Sequence, residues 1–231
     1  MRLTPPSHMT PTVYVVDDDV SVRESLELLL LSTGWQVELF ESARDFLARP
    51  RVLMPSCLVL DVALPDINGL DLQKRLIVDR ADMPIIIITG YGDVPMAVEA
   101  MKAGALEFLT KPLSPNAVLD AVRRAFERSR ALLTEAAELH SLSVRHALLT
   151  LRERQVMALI TAGRLNKQVG IELGISEITV KAHRGRVMRR MQADSLAELV
   201  IMAARLRSGG RDPGATALPR STVPPAAFAE A

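Results

Sequence analysis

Four short apolar runs in the first half of the chain each end on a polar residue, and no other feature limits the fold as much. VYVV (13–16) runs into Asp17, Asp18 and Asp19, and CLVL (57–60) runs into Asp61. PIIII (84–88) runs into Thr89, and EFLT (107–110) runs into Lys111, followed by Pro112. Short β-rich apolar runs separated by helix-length segments read as buried parallel strands. In an open α/β sheet the carboxyl ends of such strands share one rim, where ligands bind. The pattern therefore brings carboxylates, a hydroxyl and an ammonium to one small site, a set suited to metal and phosphate chemistry.

Charge divides the 231 residues in two. Residues 1–127 carry 12 Lys+Arg and 18 Asp+Glu, net −6, and residues 128–231 carry 16 and 9, net +7. The whole-chain value of +1 conceals this split. An acidic half joined to a basic half points to a signalling or metal-binding module joined to a polyanion-binding one. The single cysteine, Cys57, lies inside an apolar strand, so no intramolecular disulfide can form and a reduced, cytoplasmic setting is expected. No apolar run reaches the roughly 18 residues of a membrane span, so no membrane partner is expected. The opening MRLTPPSHMTP lacks the apolar stretch of a signal peptide and reads as a frayed tail over 1–10.

Strands are expected at 12–17, 35–40, 56–61, 84–89 and 106–110. A helix begins near Ser21, read as its N-cap with Glu24 three residues on, and ends before Gly34. Ser42 caps a short helix at 43–48, helices follow at about 70–80 and 95–103, and Ser114 caps a fifth. Strict alternation implies a doubly wound sheet, with the flavodoxin-like order 2-1-3-4-5 fitting a (βα)5 domain of this size. Apolar residues keep helical spacing over 116–140 without Gly or Pro, which predicts a semi-rigid helical linker over 129–146. The tail, 208–231, is rich in Gly, Pro, Ala and Thr and reads as disordered.

Asp17, Asp18 and Asp61 offer hard oxygens that suit Mg²⁺. Three neighbouring carboxylates repel one another, and a cation removes most of that cost. Asp61 can then act as a carboxylate nucleophile toward a phosphoryl donor, with Lys111 neutralising charge on the transferred group and Thr89 donating a hydrogen bond to it. Over residues 11–128 the chain resembles the receiver domain of two-component response regulators. The resemblance rests on VVDDD (15–19), LVLDVALPDINGLDL (58–72) and IIIITGYGDVPMAVEAMKAGALEFLTKP (85–112). It implies that Asp61 is the phosphoacceptor of a sensor histidine kinase, that Asp17, Asp18 and the backbone carbonyl of Ala63 share the metal with Asp61, and that Thr89 and Phe108 form the conformational switch. Asp19 is less suited to reach the metal and fits a helix cap. Ala63 departs from the pattern, being small and apolar where many relatives carry a longer polar residue, which bears on the rate of self-dephosphorylation.

The second module, 147–207, reads as four helices. Thr150 and Glu153 form a capping box ahead of a helix running to about Ala162. Asn166 opens a helix to Leu173, Gly174-Ile175-Ser176 makes a tight turn, and Ser176 caps a helix over 177–191. Ser195 caps a last helix to about Leu206. A helix, a short turn containing Gly and a second helix make a helix-turn-helix. In the third helix Val180, Val187 and Met191 should be buried. Lys181, Ala182, Gly185, Met188 and Arg189 lie around the opposite side, flanked by Arg184, Arg186 and Arg190. A helix this basic suits the DNA major groove, with phosphates at its edges. His183 is assigned to packing or phosphate contact, since no second ligand lies at metal-site spacing.

The segment LTLRERQVMALITAGRLNKQVGIELGISEITVKAHRGRVMRRM is similar to the LuxR/NarL-type DNA-binding domain over about 149–206. That similarity implies that Lys181, Ala182 and Gly185 face base edges, while Asn166, Lys167, Thr179, Arg184 and Arg189 approach the backbone. Gly185 stands where a side chain is often used. Gly170 stands in the scaffold helix where Ala is usual, at an expected cost of up to ~1 kcal/mol. Together the two modules are identified as a response regulator nearest the FixJ-like branch of the NarL family. The resemblance implies a regulator rather than an enzyme, catalysing only its own phosphorylation and dephosphorylation. Promoter DNA, RNA polymerase and, on phosphorylation, a second copy of the chain are its implied partners, and activation of transcription its implied effect. Two other readings stand beside it: a phosphatase with Asp61 as transient nucleophile, disfavoured by Ala63 where such families place a second Asp, and a regulator whose acidic pocket is only structural.

Overall fold

The computed structural model describes residues 10–209, which divide into two compact units at Ala137/Glu138. The expected disordered ends fall mainly outside the described residues. The exceptions are Thr10 and the last turn of the final helix, which reaches Gly209 rather than stopping near Leu206.

The first unit alternates β1 (Thr12–Val16), α1 (Val20–Leu31), β2 (Gln36–Phe40), α2 (Ala43–Ala48), β3 (Ser56–Asp61), α3 (Gly69–Asp79), β4 (Ile85–Thr89), α4 (Val94–Lys102), β5 (Glu107–Thr110) and the start of α5 (Pro115–Ala147). The strands are all parallel, in the order β2-β1-β3-β4-β5. Side chains alternate across the sheet, and each face builds its own core. Tyr14, Val16, Leu58, Leu60, Ile85 and Ile87 pack with Phe46 of α2, Leu72 and Leu76 of α3 and Ala100 of α4. Val13, Val15, Cys57, Val59, Ile86 and Ile88 pack with Leu26 and Leu30 of α1 and with Val118, Val122 and Phe126 of α5. Burial on both faces explains why the strands read as continuous apolar runs. Burial also pushes the Cys57 thiol far up from its ordinary pKa, leaving it protonated.

Two further details differ from the sequence reading. The cap of α1 is Asp19, not Ser21: the Asp19 carboxylate accepts the Ser21 backbone N–H at 2.8 Å and the Ser21 hydroxyl at 2.7 Å. Ser129, the first residue of the expected linker, is fully buried. Its hydroxyl donates to the Asp82 carbonyl at 2.7 Å and accepts the Ser56 N–H at 3.1 Å, so α5 is still fastened to the start of β3 at this point. The helix itself is continuous through 129–146.

The second unit contains the end of α5, α6 (Leu151–Thr161), α7 (Asn166–Leu173), α8 (Glu177–Met191) and α9 (Leu196–Gly209). Both halves of the Thr150–Glu153 capping box form. Gly174 ends α7 with φ +65, a left-handed conformation that glycine adopts without strain, and Ser176 caps α8. Leu142, Val156, Ile160, Val169, Val180, Val187, Met191 and Leu199 make the core. Among the described residues no helix is long and apolar enough to cross a membrane.

Candidate functional site

The C-terminal rim of the sheet gathers the residues that its strand ends foretold. β1 delivers Asp17, β3 delivers Asp61, β4 ends on Thr89, and Lys111 follows β5. Asp17 is 0% exposed and Asp61 4%, while Asp18 reaches solvent. One carboxylate oxygen from each of the three lies within 4.8 Å of the others, the one such trio among the described residues. The Lys111 ammonium donates to Asp17 Oδ2 and Asp61 Oδ2, both at 2.7 Å. Lys111 is positioned by its own N–H, which donates to the Thr89 carbonyl at 2.8 Å, and it precedes a cis proline.

Backbone donors hold the carboxylates in place. The Asp19 N–H donates to Asp17 Oδ1 at 2.9 Å, and the Ala63 N–H donates to Asp61 Oδ1 at 3.2 Å. Burial nonetheless keeps the Asp17 carboxyl above its ordinary range, outweighing its bonds to Lys111 and Asp19. The Lys111 ammonium also titrates above its ordinary value, but against burial rather than because of it: burial favours the neutral amine, and Asp17 and Asp61 together outweigh that. Two buried carboxylates thus share one ammonium, and a hard divalent cation fits the remaining oxygens by charge and by donor type.

Thr89 is buried, and its hydroxyl accepts the Tyr91 N–H at 3.2 Å. Phe108 is half-buried and packs against the α2/α3/α4 side of the core. The two are brought together at Gly92, where an added Cβ would lie 3.2 Å from the Thr89 methyl and 3.0 Å from the Phe108 ring. Ala63 is exposed beside Asp61, and Tyr91 is 89% exposed.

Two contributors to this rim were not read from the sequence. Asp66, in the loop after β3, accepts the Arg44 N–H at 2.8 Å and the Ala43 N–H at 3.3 Å, tying that loop to the first turn of α2. Gly69 lies against the Asp61 carbonyl, where a Cβ would come within 2.2 Å. The run D-I-N-G was a signal for the turn, but neither long-range contact is visible locally.

In the second unit α8 buries Val180, Val187 and Met191 and exposes Lys181, Ala182, Gly185 and Arg189, as its spacing required. Asn166 and Lys167 open α7 beside it, and the Arg184 guanidinium lies 3.5 Å from the Asn166 amide oxygen. The Thr179 hydroxyl is paired with that of Ser176 at 2.8 Å. Three residues depart from the sequence reading. Met188 is half-buried against the core rather than outward. Arg190 and Arg186 reach the buried Glu153 at 2.5 and 3.4 Å, fastening α8 to α6 rather than standing free for phosphates. The Thr150 N–H and hydroxyl complete the cage, and despite burial these donors and cations hold the Glu153 carboxyl below its ordinary pKa.

Comparison with known proteins finds a match to the response regulator receiver domain over residues 13–123 and to the luxR family of bacterial regulatory proteins over 147–203. The chain is 47% identical over 194 residues to nodulation protein W of Bradyrhizobium diazoefficiens, covering 84% of this chain and 86% of the relative. It is 42% identical over 192 residues to the transcriptional regulatory protein FixJ of Rhizobium meliloti, covering 83% and 94%. Among solved structures, the response regulator StyR aligns with a TM-score of 0.74 at 44% identity, covering 85% of this chain and all of that one. Full-length FixJ from B. japonicum aligns at 0.51 and 41%, covering 85% and 97%.

Proposed function

The chain belongs to the two-component response regulators of the NarL/FixJ family, a receiver joined to a LuxR-type DNA-binding domain, and from that premise we propose what each part does. It is a DNA-binding transcriptional regulator of a two-component system. Residues 11–128 act as the receiver, 129–146 as a helical linker and 147–207 as the DNA-binding domain, in a cytoplasmic protein. Asp61 accepts a phosphoryl group from a sensor histidine kinase: an Asp61 carboxylate oxygen bonds phosphorus while the donor's P–N bond breaks and its electron pair returns to the imidazole. Asp17, Asp18, Asp61 and the carbonyl of Ala63 hold Mg²⁺. When bound, that ion supplies charge neutralisation at the phosphoryl oxygens. Lys111, already placed between Asp17 and Asp61, turns one of its donors to the new phosphoryl group.

The rest of the switch is built from short movements. Thr89 gives up the Tyr91 N–H and donates its hydroxyl to a phosphoryl oxygen, and Phe108 moves into the space it leaves. The face carrying α4, β5 and α5 then pairs with a second copy of the chain. On promoter DNA, Lys181, Ala182 and Gly185 meet base edges, and Asn166, Lys167, Thr179, Arg184 and Arg189 meet the backbone. RNA polymerase is the downstream partner and activation the effect. The protein turns over no substrate besides its own aspartyl phosphate.

The observation that carries this reading is the trio of carboxylates within 4.8 Å of one another, two of them bridged by Lys111. Incubation with a small phosphodonor and Mg²⁺, comparing wild type with Asp61→Asn, tests it. Stable label on wild type alone, with tighter DNA binding, is the expected result. Turnover of diverse phosphoesters would make the protein a phosphatase, and absence of label would leave the acidic cup a structural feature.

A further inference from the structure

Helix α8 shows an outward side with an apolar line running from its first turn to its middle. Ile178 is 79% exposed and lies outside the apolar cluster of its unit. One turn on, Ala182 is exposed, and a further turn on, Gly185 is exposed with open space where a Cβ would point. Positions i, i+4 and i+7 share one side of a helix. Lys181, on the same side, sits 3.2 Å from Glu177. From its first turn to its middle, this basic helix therefore presents at these three positions a branched alkyl group, a methyl and a hydrogen, none of which donates or accepts a hydrogen bond. A singly exposed isoleucine is ordinary on a protein surface. This one is in line with the residues assigned to the base edges and is surrounded by cationic and polar ones.

Each base pair shows donors and acceptors in the major groove, but only thymine shows an apolar group there, its C5-methyl. An alkyl side chain in water on this face gains nothing, whereas against a methyl it removes apolar area from water. We propose that Ile178, with Ala182 one turn on, is a specificity-determining patch that packs against a thymine methyl in each half-site. This rests on the DNA-binding reading given above. It adds a residue that sets which sequence is bound.

The full chain, treated with beryllofluoride and Mg²⁺, would be used to select duplexes from a randomised pool, with wild type and Ile178→Ala in parallel and helix content checked by circular dichroism. Each thymine of the wild-type site is then replaced by deoxyuridine, which lacks only the methyl. At one position per half-site the replacement should weaken wild-type binding about fourfold. Ile178→Ala should bind the thymine and uracil duplexes equally, and Ile178→Val should keep the preference. Unchanged wild-type affinity for every uracil duplex, or the same thymine preference in Ile178→Ala, overturns the proposal while leaving DNA binding intact. A pool that yields no enriched sequence overturns the DNA-binding reading and this proposal with it.

Discussion

A Cβ on Gly69 would lie 2.2 Å from the Asp61 carbonyl oxygen and 2.8 Å from the Val62 Cα, both backbone atoms at the end of a central strand. Neither can yield without moving the strand end that carries Asp61. Gly69→Ala should therefore lower the stability of the first unit by about 2 kcal/mol, the range of an overpacked core, and slow labelling of Asp61. Urea unfolding with the labelling assay reads both. Glu153 makes a second case, in which charge rather than space is decisive. Its carboxyl titrates below the ordinary glutamate value of 4.5, because the Thr150 donors, Arg190 and Arg186 outweigh the effect of burial. The charged form is thus favoured by folding. Its contribution is complete above 4.5 and is lost as pH falls through the lower folded value. Glu153→Gln should be less stable than wild type by about 1–2 kcal/mol at neutral pH, with the gap closing as the pH falls through the acid range. Thermal melts of both proteins across that range would show it, and a gap independent of pH would contradict the assignment.

Helices α2, α7 and α8 and strand β3 occupy the residues expected from the sequence, because their ends are set by local chemistry: Ser42, Gly174 and Ser176 cap or stop the helices, and Asp61 ends the apolar run. The rim of the sheet was legible for the same reason, since a parallel strand delivers whatever follows its last apolar residue. What could not be read depends on partners far along the chain. In D-D-D-V-S two residue types suited the cap of α1, and the choice of Asp19 is coupled to its own N–H bonding Asp17. Arg190 and Glu153 are 37 positions apart, and Asp66 and Arg44 are 22 apart. Asp66→Ala should loosen the first turn of α2 and cost about 1 kcal/mol, as loss of a helix cap does. Gly170 shows propensity misleading by omission. By intrinsic preference alone, alanine there would gain up to ~1 kcal/mol. A Cβ would meet the Ile175 carbonyl oxygen at 2.7 Å, in the turn that sets α7 against α8. Gly170→Ala should therefore fail to raise the melting temperature of the second unit, and Gly170→Val should lower it.

Phosphorylation adds about −1.5 to −2 charges to a half of the molecule that already carries −6. The DNA-binding half carries +7, and its target is a polyanion. Added negative charge anywhere on the same chain can only oppose attraction to DNA, so tighter binding after phosphorylation cannot arise from long-range electrostatics. In the pairing mechanism the gain comes from joining two DNA-binding domains, which makes the second contact intramolecular and raises overall affinity by 10²-fold or more when geometry permits. Two consequences can be measured on one set of duplexes. With a single half-site, beryllofluoride treatment should leave affinity unchanged or slightly weaker; with two half-sites it should tighten binding at least tenfold and make it cooperative in protein concentration. Ionic strength gives the independent check. Affinity should fall linearly with the logarithm of salt concentration, and removing one phosphate-facing cation, Lys167 or Arg189, should reduce that slope by about 1 per binding domain. Equal tightening on single and paired half-sites would mean that phosphorylation frees each DNA-binding domain on its own, and the pairing mechanism would have to be given up.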